Sequence, residues 1–227
     1  MSALTDKIRL RGHWKVTLRP AIFRPTRVQY SSLFEIVQRV SVDLRGWDFP
    51  HIDVHSPLEL QTEWVGQESE WSCYLESWRF YQSGQFADIS GISSDWLDQA
   101  HWSGPQPGWE PGKTLGIGEV VFKLIDVFEF FARLALTDAG DDVMIVKLSL
   151  CGLRDRILVN DDPRRSPLWR SYATSMDEYP YSKEIDRSRL AAEPREAALE
   201  PTLEIFERFG WAPGADHIRG WQGRIRS

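Results

Sequence analysis

Two cysteines in 227 residues, Cys73 and Cys151, exclude a disulfide framework, and both sit in apolar patterns without a nearby histidine. No uninterrupted apolar run is long enough to span a bilayer. The richest stretch, Leu115–Thr137, is broken by Glu119, Lys123, Asp126, Glu129 and Arg133. The segment MSALTDKIRLRG lacks the apolar core of a secretory leader, so a cytoplasmic location with no membrane partner is expected. Catalytic signatures are missing too. No CxxC, HExxH, GxSxG or GxxxxGK[ST] occurs, and Gly116-Ile117-Gly118 lacks the third glycine of a dinucleotide fingerprint. Internal repeats and low-complexity tracts are also absent. These gaps favour a non-catalytic protein without a cofactor.

What the chain has in excess is tryptophan, 11 residues, and segregated charge beneath a net −6. Residues 1–30 carry seven Lys/Arg against Asp6 alone, a balance of 7 − 1 = +6. Residues 48–112 carry eleven acids against Arg79 alone, 1 − 11 = −10. Segregation of this size shapes fields and partner choice rather than fold.

The apolar residues of Leu115–Thr137 recur at helical spacing, from Val120 and Val121 through Phe128 and Phe131 to Ala135. That stretch predicts a central helix, 115–137, with Lys123, Asp126 and Arg133 turned from the core. Alternation in 8–19 predicts a strand with Trp14, Val16 and Leu18 on one face and a basic second face. A helix over 33–44 follows Ser31-Ser32, then a strand over 58–65 and helix or irregular turn to Glu76. A hairpin over 77–91 turns at Ser83-Gly84, with Trp78 in the core and Arg79 paired to a carboxylate. Ser93-Ser94-Asp95 caps a short helical turn, and 103–113 is a Pro/Gly loop. Strand 142–151 is expected to pair with 155–159 through a turn at Gly152, with an edge strand around 172–185. A last helix, 195–209, opens on Pro194 and is kinked or split by Pro201. Strands and helices without regular βα alternation predict an α+β fold: one domain, 1–227, with a single mainly antiparallel sheet and helices on one face.

Three constellations are candidate sites. Trp64, Trp71, Trp102 and Trp109 lie among the acids of the middle segment, where ring faces and carboxylates together suit a cationic ligand or a basic protein partner. Arg9, Arg11 and Lys15 on the first strand, joined by Arg154, Arg156, Arg164, Arg165 and Arg170, have the chemistry of a phosphate surface, although the overall acidity disfavours nucleic acid. Pairing of the basic strand with the acidic segment inside the fold is the favoured alternative. His51, Asp53 and His55 would share one face of an extended segment, with Glu63 or Glu68 as a fourth ligand for a divalent metal. Such a metal could activate water, which makes a metal-dependent hydrolase or nuclease the rival to a binding or adaptor protein.

The phrases LRGWDFPH (44–51), WRFYQSGQF (78–86) and RFGW (208–211) resemble ones in uncharacterised bacterial proteins. Some of those are associated with an Alba-type, Schlafen-like nucleic-acid-binding domain in the same polypeptide. The resemblance carries no catalytic residue. It implies that any nucleic-acid function lies with a partner, this chain acting as sensor or adaptor.

Overall fold

The computed structural model describes residues 2–44, 46–99, 110–162 and 165–223. Its main sheet has seven strands, and every pairing in it is antiparallel. In chain order the elements are α1 (Ala3–Ile8), β1 (His13–Pro20), α2 (Leu33–Val40), β2 (Val42–Asp43), β3 (Asp48–Phe49), β4 (Glu59–Leu60), β5 (Trp64–Trp71), β6 (Tyr74–Tyr81), β7 (Phe86–Gly91), β8 (Thr114–Gly116), α3 (Ile117–Ala135), β9 (Val143–Cys151), β10 (Ile157–Val159), β11 (Glu178–Asp186), α4 (Arg187–Ala192), α5 (Pro194–Arg208) and α6 (Ala215–Gln222). The sheet order is β11-β9-β1-β7-β6-β5-β4, with two-stranded pairs β10-β8 and β2-β3 beside it. This is an α+β fold.

Strand register explains the core. Trp14, Val16 and Leu18 face the same way as Leu150, Leu148 and Val146 on β9, their direct partners. Phe86 and Phe80 continue that face across β7 and β6. Against it lies α3, on which α2, α4, α5 and α6 also pack. The helix is buried nearly all round, from Ile117 to Ala135, because sheet and helices enclose it from both sides. Asp126 is therefore buried, and Lys123 lies over the Phe49 ring at 4.2 Å, so these two residues face inward rather than outward. Exposed Arg133 alone of the three keeps the expected outward position.

Several expectations need correction. Residues 3–8 form a helix, and the first strand starts only at His13. Helix α1 packs Leu4 and Ile8 on Leu75, Cys73 and Trp96, covering the reverse of β6 and β7, so the helices are not confined to one face. Helix α2 ends at Val40, four residues early, because Val42 and Asp43 pair with Phe49 and Asp48. The helical spacing of Trp71, Tyr74, Leu75 and Trp78 is a coincidence of a long β5–β6 hairpin, turned at Ser72 with φ 55°. Strand β10 pairs in parallel with β8, not with β9. Pro201 sits inside a continuous α5, and α6 had no expectation at all. The hairpin at Ser83-Gly84, Trp78 in the core, strand β9 and edge strand β11 agree with expectation. No helix among the described residues is long and apolar enough to cross a membrane.

The segregated charges meet in part, through basic residues of α1 and the turn before β1. Arg11 grips Asp98 with both guanidinium nitrogens, at 2.8 and 3.0 Å, donates to the Asp95 carbonyl, and lies over Trp96 at 4.3 Å. Lys7 reaches Glu70 at 2.5 Å. Lys15 is held more loosely, 3.8 Å from Glu178, with both side chains nearly half exposed. Arg11→Ala is expected to cost about 1–2 kcal/mol through its stacking and charged hydrogen bonds. Lys15→Ala should fall within about 0.5 kcal/mol of the parent. Urea unfolding of the two variants separates them.

Candidate functional site

Polar residues at buried-face positions of the sheet define the site. On β6, Glu76 shares parity with Trp78 and Phe80, and on β7, Asp88 and Ser90 share it with Phe86. Glu76 lies opposite Ser90, and Asp88 opposite Trp78. Helix α3 answers with Glu119, Phe122, Lys123 and Asp126 at i, i+3, i+4 and i+7, a single stripe. Between them a cavity of about 810 Å³ opens, lined by this stripe, by Trp14, Glu76 and Ser90, by Trp47, Asp48 and Tyr74, and by Asn160 and Asp161.

The loop after β3 closes one side, docked by three inward-facing side chains of the sheet. Gln67 accepts from the Asp53 N–H at 3.0 Å and donates to the carbonyls of Asp53 (2.6 Å) and Ser56 (2.8 Å). Glu76 Oε2 accepts from the His51 N–H at 3.2 Å, and the Trp78 indole donates to the His51 carbonyl at 2.8 Å. Trp47 lies between the rings of His51 and Tyr74, with centroids at 3.9 and 4.4 Å. Burial favours the neutral form of Asp48, but His51 at 2.5 Å and the Ile52 N–H outweigh it and hold this carboxyl below its ordinary range.

The opposite end is built from the start of α3. Asp161 accepts from the N–H groups of Gly118 (2.7 Å) and Glu119 (2.9 Å), capping the helix from a remote loop. A Cβ on Gly116 would lie 2.3 Å from the Asp161 carboxylate, so glycine permits this approach. The Gly-Ile-Gly sequence thus receives the protein's own carboxylate, where a phosphate would need the same N–H groups. Glu119 accepts from the Ser93 N–H and hydroxyl at 2.6 and 2.8 Å and from the Ser94 hydroxyl at 2.9 Å. Burial nevertheless raises its pKa, the serine hydrogen bonds opposing that shift.

Glu76 differs from these satisfied acids. Its residue is only 5% exposed, and with both carboxyls ionised its Oε1, like Asp88 Oδ1, has no hydrogen-bond donor among the described residues, whereas a proton on Glu76 bonds it to Asp88. Burial first, and then the neighbouring Asp88 carboxylate, push the Glu76 pKa well up, with Lys123 opposing. Lys123 Nζ stands 3.5 Å from Asp88 Oδ2, which also accepts from Ser90 Oγ at 3.1 Å.

The residues singled out by sequence are dispersed. Trp64 lies on the reverse face with Arg79 over it at 4.5 Å, so the guanidinium stacks on a ring where a carboxylate partner was expected. Trp71 is 55% exposed at the hairpin end and stacks on Trp47 at 5.7 Å. Trp102, Trp109 and Arg164 lie outside the described residues, as does 103–109 of the expected Pro/Gly loop. Arg9 is exposed just after α1, whereas Arg11 and Lys15 face Asp98 and Glu178. Arg156 is buried against Asp95, and Arg165 and Arg170 lie over Trp221 and Trp169.

His51, Asp53 and His55 do not project from one extended face. Residues 51–55 are a loop, in which His51 Nδ1 faces Asp48 and the Asp53 carboxylate accepts from the His55 N–H (2.8 Å) and Ser56 Oγ (2.6 Å). The Ser56 hydroxyl and then the His55 N–H lower the Asp53 pKa. Among the described residues no group of three or more His, Cys, Asp or Glu side chains is placed to hold a metal ion. Cys73 and Cys151 are buried free thiols whose pKa values burial pushes up.

Comparison of the chain with family models, with curated proteins and with solved structures finds no match.

Proposed function

We propose that this chain is a non-catalytic binding protein, a sensor or adaptor, whose recognition site is the cavity between the sheet and the first half of α3. The observation that carries this reading is a cavity of about 810 Å³, within the size of small-molecule sites, with a buried carboxyl on its wall that lacks a donor. Aromatic rings and a few convergent polar groups are the usual furniture of such sites. In this reading the Trp-rich acidic segment contributes through Tyr74 and Glu76, joined by Trp47 just before it, instead of through a broad external face. An adaptor would pass occupancy of the cavity to a protein partner, and any link to nucleic acid would run through that partner.

Amide shift perturbation with a library of uncharged, cationic and anionic fragments tests the reading. Binders are expected to shift Gly91, Glu119 and Asn160 together, since these residues border the cavity from β7, α3 and the loop after β10. A library that moves none of these amides at millimolar concentration contradicts it.

A further inference from the structure

Resting on the cavity reading, we infer that the ligand is a small organic cation, a primary ammonium or guanidinium group on an apolar stem, which docks on Glu76. Five carboxyl groups line the cavity: Asp48, Glu76, Glu119, Asp126 and Asp161. Lys123 is the one Lys or Arg among its described lining residues, and its charge is turned to Asp88 and the Phe49 ring. An anion would therefore meet an acidic wall, and the helix N-terminus that could have held it is filled by Asp161. A neutral ligand would leave Glu76 Oε1 without a charged partner in a low-dielectric site. An ammonium can take the place of the proton that bonds Glu76 to Asp88, supplying a donor together with a compensating charge. The apolar stem would lie along the edges of the Trp47–Tyr74 stack that borders the cavity.

The carboxyl pair gives the interaction a pH signature. Burial and then repulsion by the Asp88 carboxylate keep the Glu76 proton bound above the ordinary glutamate pKa of 4.5. The other charged groups around it are Lys123, Asp126 and Glu119 on α3, and Asp48 with His51 on the docking loop. A bound cation favours the ionised form of Glu76, so binding expels that proton, and affinity rises as pH climbs from 4.5 through the raised value.

Isothermal titration with benzylamine, which stays protonated over this range, and with benzyl alcohol and benzoate as neutral and anionic matches, tests the inference. Benzylamine should bind at least about tenfold more tightly than either match, and Glu76→Gln should abolish that preference. Titration of the wild-type protein in two buffers of different ionisation enthalpy should show proton release on benzylamine binding. This readout holds even if the Gln variant folds poorly. Benzyl alcohol binding as tightly as benzylamine, or benzylamine binding with no proton released, overturns the cation while leaving the cavity as a ligand site. If none of the three binds, the inference falls, and the fragment experiment decides separately whether the cavity reading stands.

Discussion

Arg156→Met is expected to destabilise the protein by about 3–5 kcal/mol, among the largest effects of any single substitution outside the apolar core. The side chains of Arg156 and Asp95 are only 1% and 2% exposed, and both guanidinium Nη atoms donate to the carboxylate. Each partner also serves the backbone. Arg156 donates to the carbonyls of Gly152 (2.6 Å) and Thr114 (2.7 Å), and Asp95 accepts from the N–H groups of Gly12 and Gly112, both at 2.9 Å. Removing the cation leaves a buried carboxylate uncompensated, and the lost hydrogen bonds loosen β8 and the β9–β10 turn that position Asp161. Replacing both partners with apolar residues should recover only part of the loss, since four backbone groups would still lack partners. Gly12 belongs to the same knot, because a Cβ there would lie 2.1 Å from an Arg156 Nη atom. Urea denaturation measures all of these. A loss below about 1 kcal/mol for Arg156→Met would mean that the pair is hydrated in solution.

Trp78→Ala should cost a comparable amount, about 3–5 kcal/mol, by opening a cavity beneath the site. The indole is 1% exposed, packs with Phe86, and donates to the His51 carbonyl at 2.8 Å. Trp78→Phe keeps most of the ring and deletes the donor. It should cost about 1–3 kcal/mol, since a mostly buried carbonyl loses its partner. Both variants should shift the amides of His51 and Asp53, because Trp78 and Gln67 dock that loop together. Unchanged loop amides in a folded Trp78→Phe would show that the loop is held without the indole.

Much of the fold was legible because period and burial agree where a strand has one wet face. Trp14, Val16 and Leu18 and the Ser83-Gly84 turn are of this kind. Period failed at 66–76, where β5 and β6 carry polar residues on both faces and Trp71, Tyr74, Leu75 and Trp78 mimic a helix. The parallel pairing of β10 with β8 joins segments some forty residues apart, which no local pattern reports. The site was less legible, for a related reason. Glu76 shares the parity of Trp78 and Phe80, Asp88 that of Phe86, and Glu119, Phe122, Lys123 and Asp126 share one helical stripe. Apart from Phe122, each is a charge at an inward-facing position, a signal present in the sequence. On α3, Lys123 and Asp126 pass for a solvated side because a helix packed from both sides has no wet face to contrast with. The tryptophans misled in the opposite direction, since their abundance suggested a recognition face while Arg79, Lys7 and Arg11 already cover Trp64 and Trp96.

The most direct measurement is a crystal structure of the protein soaked with 4-bromobenzylamine, with the bromine located by anomalous scattering. The expected result is one bromine peak inside the cavity near Trp47 and Tyr74, with the ammonium within hydrogen-bond distance of Glu76 Oε1. A ligand bound elsewhere on the surface, or in the cavity with its ammonium turned from Glu76, would contradict the assignment.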